Sequence, residues 1–171
     1  MQRNARMKSP KLPLTDEERA QLRLNRLKLS DIARMDIQQL SSVLDIADSR
    51  AEYIRGLAQF QTVPSIGPKV AERVVKMGYY ALDEIKDEDG AELTDRMEAS
   101  LGTWEDPCVE DSFRCIIHHA NHPDSEKLWH DFTEERKRFR EKHGYPSTRP
   151  TLSWYDKTSP HMSGCKSSPD N

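Results

Sequence analysis

Helix starts and stops recur along this chain so regularly that they leave room for little else. Thr15 with Glu18 reads as a capping box ahead of Leu22, Leu24 and Leu27, which predicts a first helix from about Asp16 to Lys28. Aspartate stands where an N-cap is needed at Asp36, Asp48, Asp89, Asp106 and Asp124, since a short carboxylate satisfies the free N–H groups of a first turn. Pro68 and Pro107 suit first helical positions, and Gly78, Gly102 and Gly144 suit helix ends. Helices are thus expected after Asp36 and Asp48, from Pro68 to Gly78, from Asp89 to Leu101, from Pro107 to just before Pro123, and from Asp124 to Gly144. Nothing alternates with period two over any length, so strands are not expected and the fold class is all-α.

A chain of 171 residues, 35% of them hydrophobic, can bury one core or two small ones sharing an interface. Composition divides it into a flexible basic N-terminus (1–14), a region of tandem helical hairpins (15–102), a C-terminal helical pair packed on it (103–155) and a disordered tail (156–171). The net charge of −3 argues against a binder whose whole surface is positive, but permits a local basic face. Acids concentrate between Asp83 and Asp111, whereas Arg3, Arg6, Lys8, Lys11, Arg19, Arg23, Arg26 and Lys28 make the first stretch basic. Met1–Pro13 has no apolar run and no cleavage site, and no long uncharged apolar stretch follows. A cytoplasmic protein without a membrane partner is therefore expected. Three cysteines, an odd number, point to reduced thiols rather than to disulfides.

The densest functional signal is Val63-Pro64-Ser65-Ile66-Gly67-Pro68-Lys69-Val70-Ala71, a tight turn feeding a helix whose first turn is left open. Ser65 and Gly67 flank one apolar plug, Ile66. Pro68 takes the first helical position, where its missing N–H costs nothing. The free N–H groups then face outward with the positive end of the helix dipole behind them, which makes an anion site. Lys69, Arg73 and Lys76 follow at helical spacing and bring positive charge to the same element. The candidate phosphate-backbone contacts are accordingly Pro64, Ser65, Ile66, Gly67, Pro68, Lys69, Val70, Arg73 and Lys76. This segment resembles the helix-hairpin-helix motif, a grip on DNA that is independent of base sequence. In that motif a second glycine is usual where Ser65 stands, and serine adopts positive φ less readily. The plainer alternative is an ordinary turn between two core helices, with Ile66 merely packing.

Two internal similarities support a repeated architecture. Leu29–Leu40 aligns without a gap to Leu82–Leu93, placing Asp36 opposite Asp89. Leu44-Asp-Ile46-Ala47-Asp-Ser-Arg-Ala51 echoes Pro64-Ser-Ile66-Gly67-Pro-Lys-Val-Ala71, with alanine in place of glycine, and reads as a degenerate first hairpin.

On the helix after Pro107, Val109, Phe113, Ile116, Ile117 and Ala120 gather on one side, and Cys108, Cys115, His118, His119 and His122 on the other. Cys108, Cys115, His119 and His122 are candidate metal ligands. One straight helix cannot surround an ion, because its turns lie about 5.4 Å apart, and no Cys-x-x-Cys segment completes the set. The preferred reading is that the following helix, through Leu128, Trp129, Phe132 and Phe139, buries the thiols as small hydrophobes, and no metal or other cofactor is expected. Cys108 near a helix start is an alternative nucleophile. Asp106, Glu110 and Asp111 around it oppose activation and are read as a solvated acidic first turn.

From Leu29 to Trp154 the chain resembles the small bacterial helix-hairpin-helix proteins of the pathogenicity locus family, some of which carry a mitomycin-resistance label. The resemblance rests on Phe60–Ala71, Gly78–Ile85, Trp104–Cys115, Trp129–Lys137 and Gly144–Pro150. It implies a helix-hairpin-helix domain, presumed DNA contact and no established activity. The leading expectation is a non-catalytic, sequence-independent DNA-binding protein, in DNA repair or damage tolerance. The alternatives are a helical module for a protein partner, with a purely structural hairpin, and a metal- or thiol-dependent enzyme built on the Cys/His stripe. No catalytic motif is recognised. Arg136, Lys137, Arg138, Arg140 and Lys142 could serve either binding role.

Overall fold

A computed structural model describes residues 8–158. Its helices are α1 (Asp16–Leu24), α2 (Ile37–Leu44), α3 (Asp48–Phe60), α4 (Pro68–Lys76), α5 (Leu82–Ile85), α6 (Gly90–Leu101), α7 (Pro107–Asn121), α8 (Thr133–His143) and α9 (Trp154–Thr158). Two 3₁₀ turns, Leu29–Arg34 and Trp129–Phe132, lie between them. No strand forms among the described residues, where the extended pairing is an isolated bridge between Trp104 and Ser153. No described helix is long and apolar enough to cross a membrane.

Local chemistry sets most of these boundaries. Thr15 and Glu18 close a reciprocal capping box on α1. Asp36 caps α2, Asp89 caps α6 and Asp106 caps α7, each carboxylate accepting from first-turn N–H groups. Gly78, Gly102 and Gly144 take positive φ beyond α4, α6 and α8.

Elsewhere the sequence expectations need correction. Helix α1 stops at Leu24 rather than Lys28, because Arg26 turns left-handed (φ 55) and the Leu27 N–H reaches back to the Leu22 carbonyl at 2.9 Å. Asp48 is the first residue of α3, and Ala47 is its N-cap. Asp124 opens no helix. The Lys127 carbonyl is held against α7 by Cys115 and His119, so the chain crosses α7 irregularly and becomes helical only from Trp129. Residues 8–14 are fastened rather than flexible: Pro10 and Leu12 are buried, and Lys11 exchanges two hydrogen bonds with the Gln61 side chain. Residues 156–158 belong to α9 instead of a tail. Residues 1–7 and 159–171, with Cys165 and most of the expected tail, lie outside the described residues.

One cluster of buried side chains runs through the fold, from Leu12 and Leu22 through Ile32, Leu40, Ile54, Phe60 and Ile66 to Val74, Phe113, Ile116 and Phe132. The expected stripe of α3, namely Ala51, Ile54, Leu57 and Ala58, points into it. Helix α3 packs against α2, α4 and the Leu29–Arg34 turn, whereas α7 packs against α5, α6, α8 and the Trp129–Phe132 turn. These two helices thus organise the two ends of one core, and the Val63–Gly67 turn joins them, leaving α3 and hydrogen-bonded through Ser65 to the Trp129–Phe132 turn that packs on α7.

Candidate functional site

The turn before α4 is built by its sequence. The Ile66 N–H donates to the Val63 carbonyl at 3.2 Å, closing a four-residue turn with Pro64 second and Ser65 third. Ser65 has φ 66, and proline followed by a left-handed residue defines a type II turn. Serine thus takes the conformation for which glycine is the usual choice. Its Oγ accepts from the Trp129 N–H at 2.9 Å, which ties the turn to the segment crossing α7. Ile66 is fully buried and anchors the turn to the core.

Gly67 is the N-cap of α4, with φ −96 and ψ −179, and no side chain caps the helix. Pro68 occupies its first position. The first backbone N–H to close on the helix is that of Ala71, which donates to the Gly67 carbonyl at 3.1 Å. The Lys69 and Val70 N–H groups therefore have no acceptor among the described residues. A Cβ built on Gly67 would meet nothing within 4 Å. Its dihedrals suit any residue, so the fold itself does not require glycine there.

The three cations expected to support the site differ in how they are held. Arg73 reaches Glu105 at 2.6 Å, and Lys76 reaches Glu72 at 2.8 Å. The hydrogen bond that Lys76 donates to Glu72, ahead of the charge of Glu72, raises the Lys76 pKa. Lys69 is exposed and has no partner among the described residues, so its charge is free.

The echoed segment before α3 shares the backbone sign and the open helix start but not the four-residue turn, since the Ile46 N–H donates to the Ser41 carbonyl at 3.1 Å. Asp45 (φ 54) matches Ser65, Ile46 matches the plug, Ala47 is an N-cap without a side-chain cap, and the Ala51 N–H donates to the Ala47 carbonyl at 3.0 Å. Asp48 places a negative charge in that first turn, where an anion would otherwise sit. The other matched pair also agrees: a short helical turn precedes an Asp-capped helix at Leu29–Leu40 and again at Leu82–Leu93.

On α7 the Cys/His stripe is turned largely inward. Cys115 is fully buried, and its thiol donates to the Lys127 carbonyl at 3.7 Å. The His119 Nε2 donates to the same carbonyl at 2.7 Å, while His118 Nε2 is hydrogen-bonded to Ser125 Oγ at 2.9 Å. His122 is exposed and lies against the His118 ring. Cys108, Cys115, His119 and His122 are not brought together, and no group of three or more His, Cys, Asp or Glu suited to a metal occurs among the described residues. Burial, reinforced by Asp106, pushes the Cys108 thiol up to about 12. Burial also raises Cys115 to about 11, against the Ser65 hydroxyl.

The acidic first turn of α7 is the clearest departure from expectation. Glu110 and Asp111 are each 1% exposed, not solvated. Glu110 binds Arg114 and Arg140, each at 2.9 Å, and Asp111 binds Arg136 at 2.6 Å. Arg140 also reaches Asp95 at 2.9 Å. Two arginines of the basic helix α8 are therefore spent on holding it to α7, and Lys137 pairs with Glu134. Arg138 and Lys142 remain exposed without partners among the described residues. The Glu110–Arg114 spacing of one helical turn was a legible hint, and the arginines at 136 and 140 have the same spacing.

Fold and turn together define a small all-α protein in which α3 and α4 both start without a side-chain cap, α3 with Asp48 in its first turn and α4 with no acid there. The chain belongs to the pathogenicity locus family, whose match spans residues 53–138 and so includes α4, α7 and the turn between α3 and α4. It is similar to the mitomycin resistance protein McrB of Streptomyces lavendulae, 32% identical over 77 residues that cover 45% of this chain and 72% of that protein. No solved structure matches it.

Proposed function

We propose that this protein is a non-catalytic module that grips the DNA backbone through the turn Pro64–Val70, as a helix-hairpin-helix does, without reading base sequence. The observation that carries the reading is Gly67. It is a glycine in a conformation open to any residue, with empty space at its Cβ position, beside two unclaimed N–H groups. Close approach by a phosphate explains the choice of glycine where packing does not. Lys69 adds the free charge, and Arg73 and Lys76 supply a weaker field through their partners. A mitomycin-resistance name on a relative accords with work beside damaged DNA, in repair or damage tolerance.

Fluorescence anisotropy with short DNA of random sequence tests this. Binding is expected at about 10⁻⁴ to 10⁻⁶ M, insensitive to sequence and weakening with salt as counterions are released. Gly67→Val, which the backbone accepts at φ −96, should leave the melting temperature unchanged and reduce binding more than Lys69→Ala does. A folded Gly67→Val protein with wild-type affinity would refute the grip and leave the turn purely structural.

A further inference from the structure

Immediately beside the start of α4 lies a cavity of about 290 Å³ whose floor and walls are Leu12, Pro13, Tyr53, Leu57 and Pro68, with Lys11 and Glu72 as its polar lining. That volume is at the small end for ligand pockets, which run to roughly 300–1,000 Å³, and it suits one flat ring system rather than an extended ligand. The cavity exists because residues 8–14 are strapped across α3, through Lys11 to Gln61 and through the Arg50 Nη2 to the Pro13 carbonyl at 2.6 Å. Pro68 belongs both to this cavity and to the open helix start, so the two sites are contiguous.

We propose that this cavity seats an unpaired nucleobase of the same strand whose phosphate the hairpin grips; the inference rests on the DNA-binding reading above. Tyr53 supplies the aromatic wall. Arg50, itself clamped by Glu18 at 3.0 Å, lies 5.8 Å from its ring centroid. Proline faces at Pro13 and Pro68 and the buried Leu12 and Leu57 complete an apolar slot for a stacked base. Two polar groups at the slot lack partners among the described residues. They are the Tyr53 hydroxyl and the second carboxylate oxygen of Glu72, whose first oxygen holds Lys76. A carboxylate oxygen accepts from exocyclic amino groups, and the hydroxyl donates or accepts, so the slot can hydrogen-bond a base edge. A base inside a duplex is stacked and paired and cannot enter. The site therefore favours single-stranded, gapped or locally opened DNA.

The test compares two fluorescein-labelled strands of equal length, one of mixed sequence and one abasic throughout, which keeps every phosphate and removes every base. The full-length protein is expected to bind the mixed strand about five- to a hundredfold more tightly than the abasic one, as base stacking on an aromatic side chain does elsewhere. Tyr53→Leu keeps the apolar packing and should abolish that difference, whereas Tyr53→Phe should retain most of it. Equal binding of both strands by the wild-type protein overturns the base seat and leaves the phosphate grip standing. Binding of neither overturns both. A difference that survives Tyr53→Leu overturns the assignment of the base to this cavity.

Discussion

Replacing Glu110 by glutamine keeps the side-chain shape and removes the charge on which α7 and α8 converge. One Glu110 oxygen accepts from Arg114 at 3.1 and 2.9 Å, and the other accepts from Arg140 at 2.9 Å. A glutamine amide can serve only one of these sides, and its NH₂ then faces an arginine N–H, donor against donor. With side chains 2%, 9% and 7% exposed at Glu110, Arg114 and Arg140, water has little access to repair the mismatch. Breaking a buried pair costs about 3–5 kcal/mol. Arg114 keeps Glu135 and Arg140 keeps Asp95, which places the expected loss at the lower end, about 3 kcal/mol. For a chain of this size that corresponds to a fall of about 6–12 °C in Tm. In urea, followed by fluorescence of the three tryptophans, the midpoint should move down with an unchanged slope. Glu134→Gln, which removes an exposed pair with Lys137, serves as the control and should stay within about 0.5 kcal/mol of wild type. A loss below about 1 kcal/mol for Glu110→Gln would refute the view that a desolvated ion network joins α8 to the rest.

Ser65→Gly relieves a left-handed serine but removes the acceptor of the Trp129 N–H, so the stability change should be under about 1 kcal/mol in either direction, while DNA affinity rises as the backbone comes closer to phosphate. Thermal melts and anisotropy on the same preparation check this, and a loss of affinity would count against close backbone approach at Ser65. With thiols raised to about 12 and about 11, Cys108 and Cys115 are expected to react slowly with a disulfide reagent at pH 8 in a Cys165→Ser background, and about tenfold faster per added pH unit while the fold holds. Rapid stoichiometric labelling of Cys108 at pH 8 would revive the nucleophile reading.

The elements legible in the sequence were those whose chemistry is local. Caps at Thr15, Asp36, Asp89 and Asp106 and glycine stops at 78, 102 and 144 act within one helical turn, so the residues that decide are adjacent in the chain. The internal echo is readable in part, because Asp45 and Ser65 share a left-handed backbone and Ala47 and Gly67 both precede a helix without a side-chain cap. What stayed hidden depends on partners far along the chain. Glu110 and Asp111 look like solvated acids until Arg140 and Arg136, in another helix, are placed against them. Similarly, Asp124 has the composition of an N-cap. The hydrogen bonds that pull Lys127 onto α7 override it. At the candidate site the buried plug Ile66 and the first-turn Pro68 are readable locally, but the pairing of Arg73 with Glu105 is not, since that pair spans α4 and the entry to α7.

Helix α3 starts at the turn Asp45–Ala47 and leads into the turn Ser65–Gly67. Its length is consequently a gear ratio between the two turns. Each residue added or removed within Asp48–Phe60 would rotate one turn about 100° relative to the other and shift it 1.5 Å along the axis. Ile46 and Ile66 could then not both reach the common core, nor could Tyr53 and Pro68 face the same cavity. Insertions and deletions should therefore be excluded from these 13 residues.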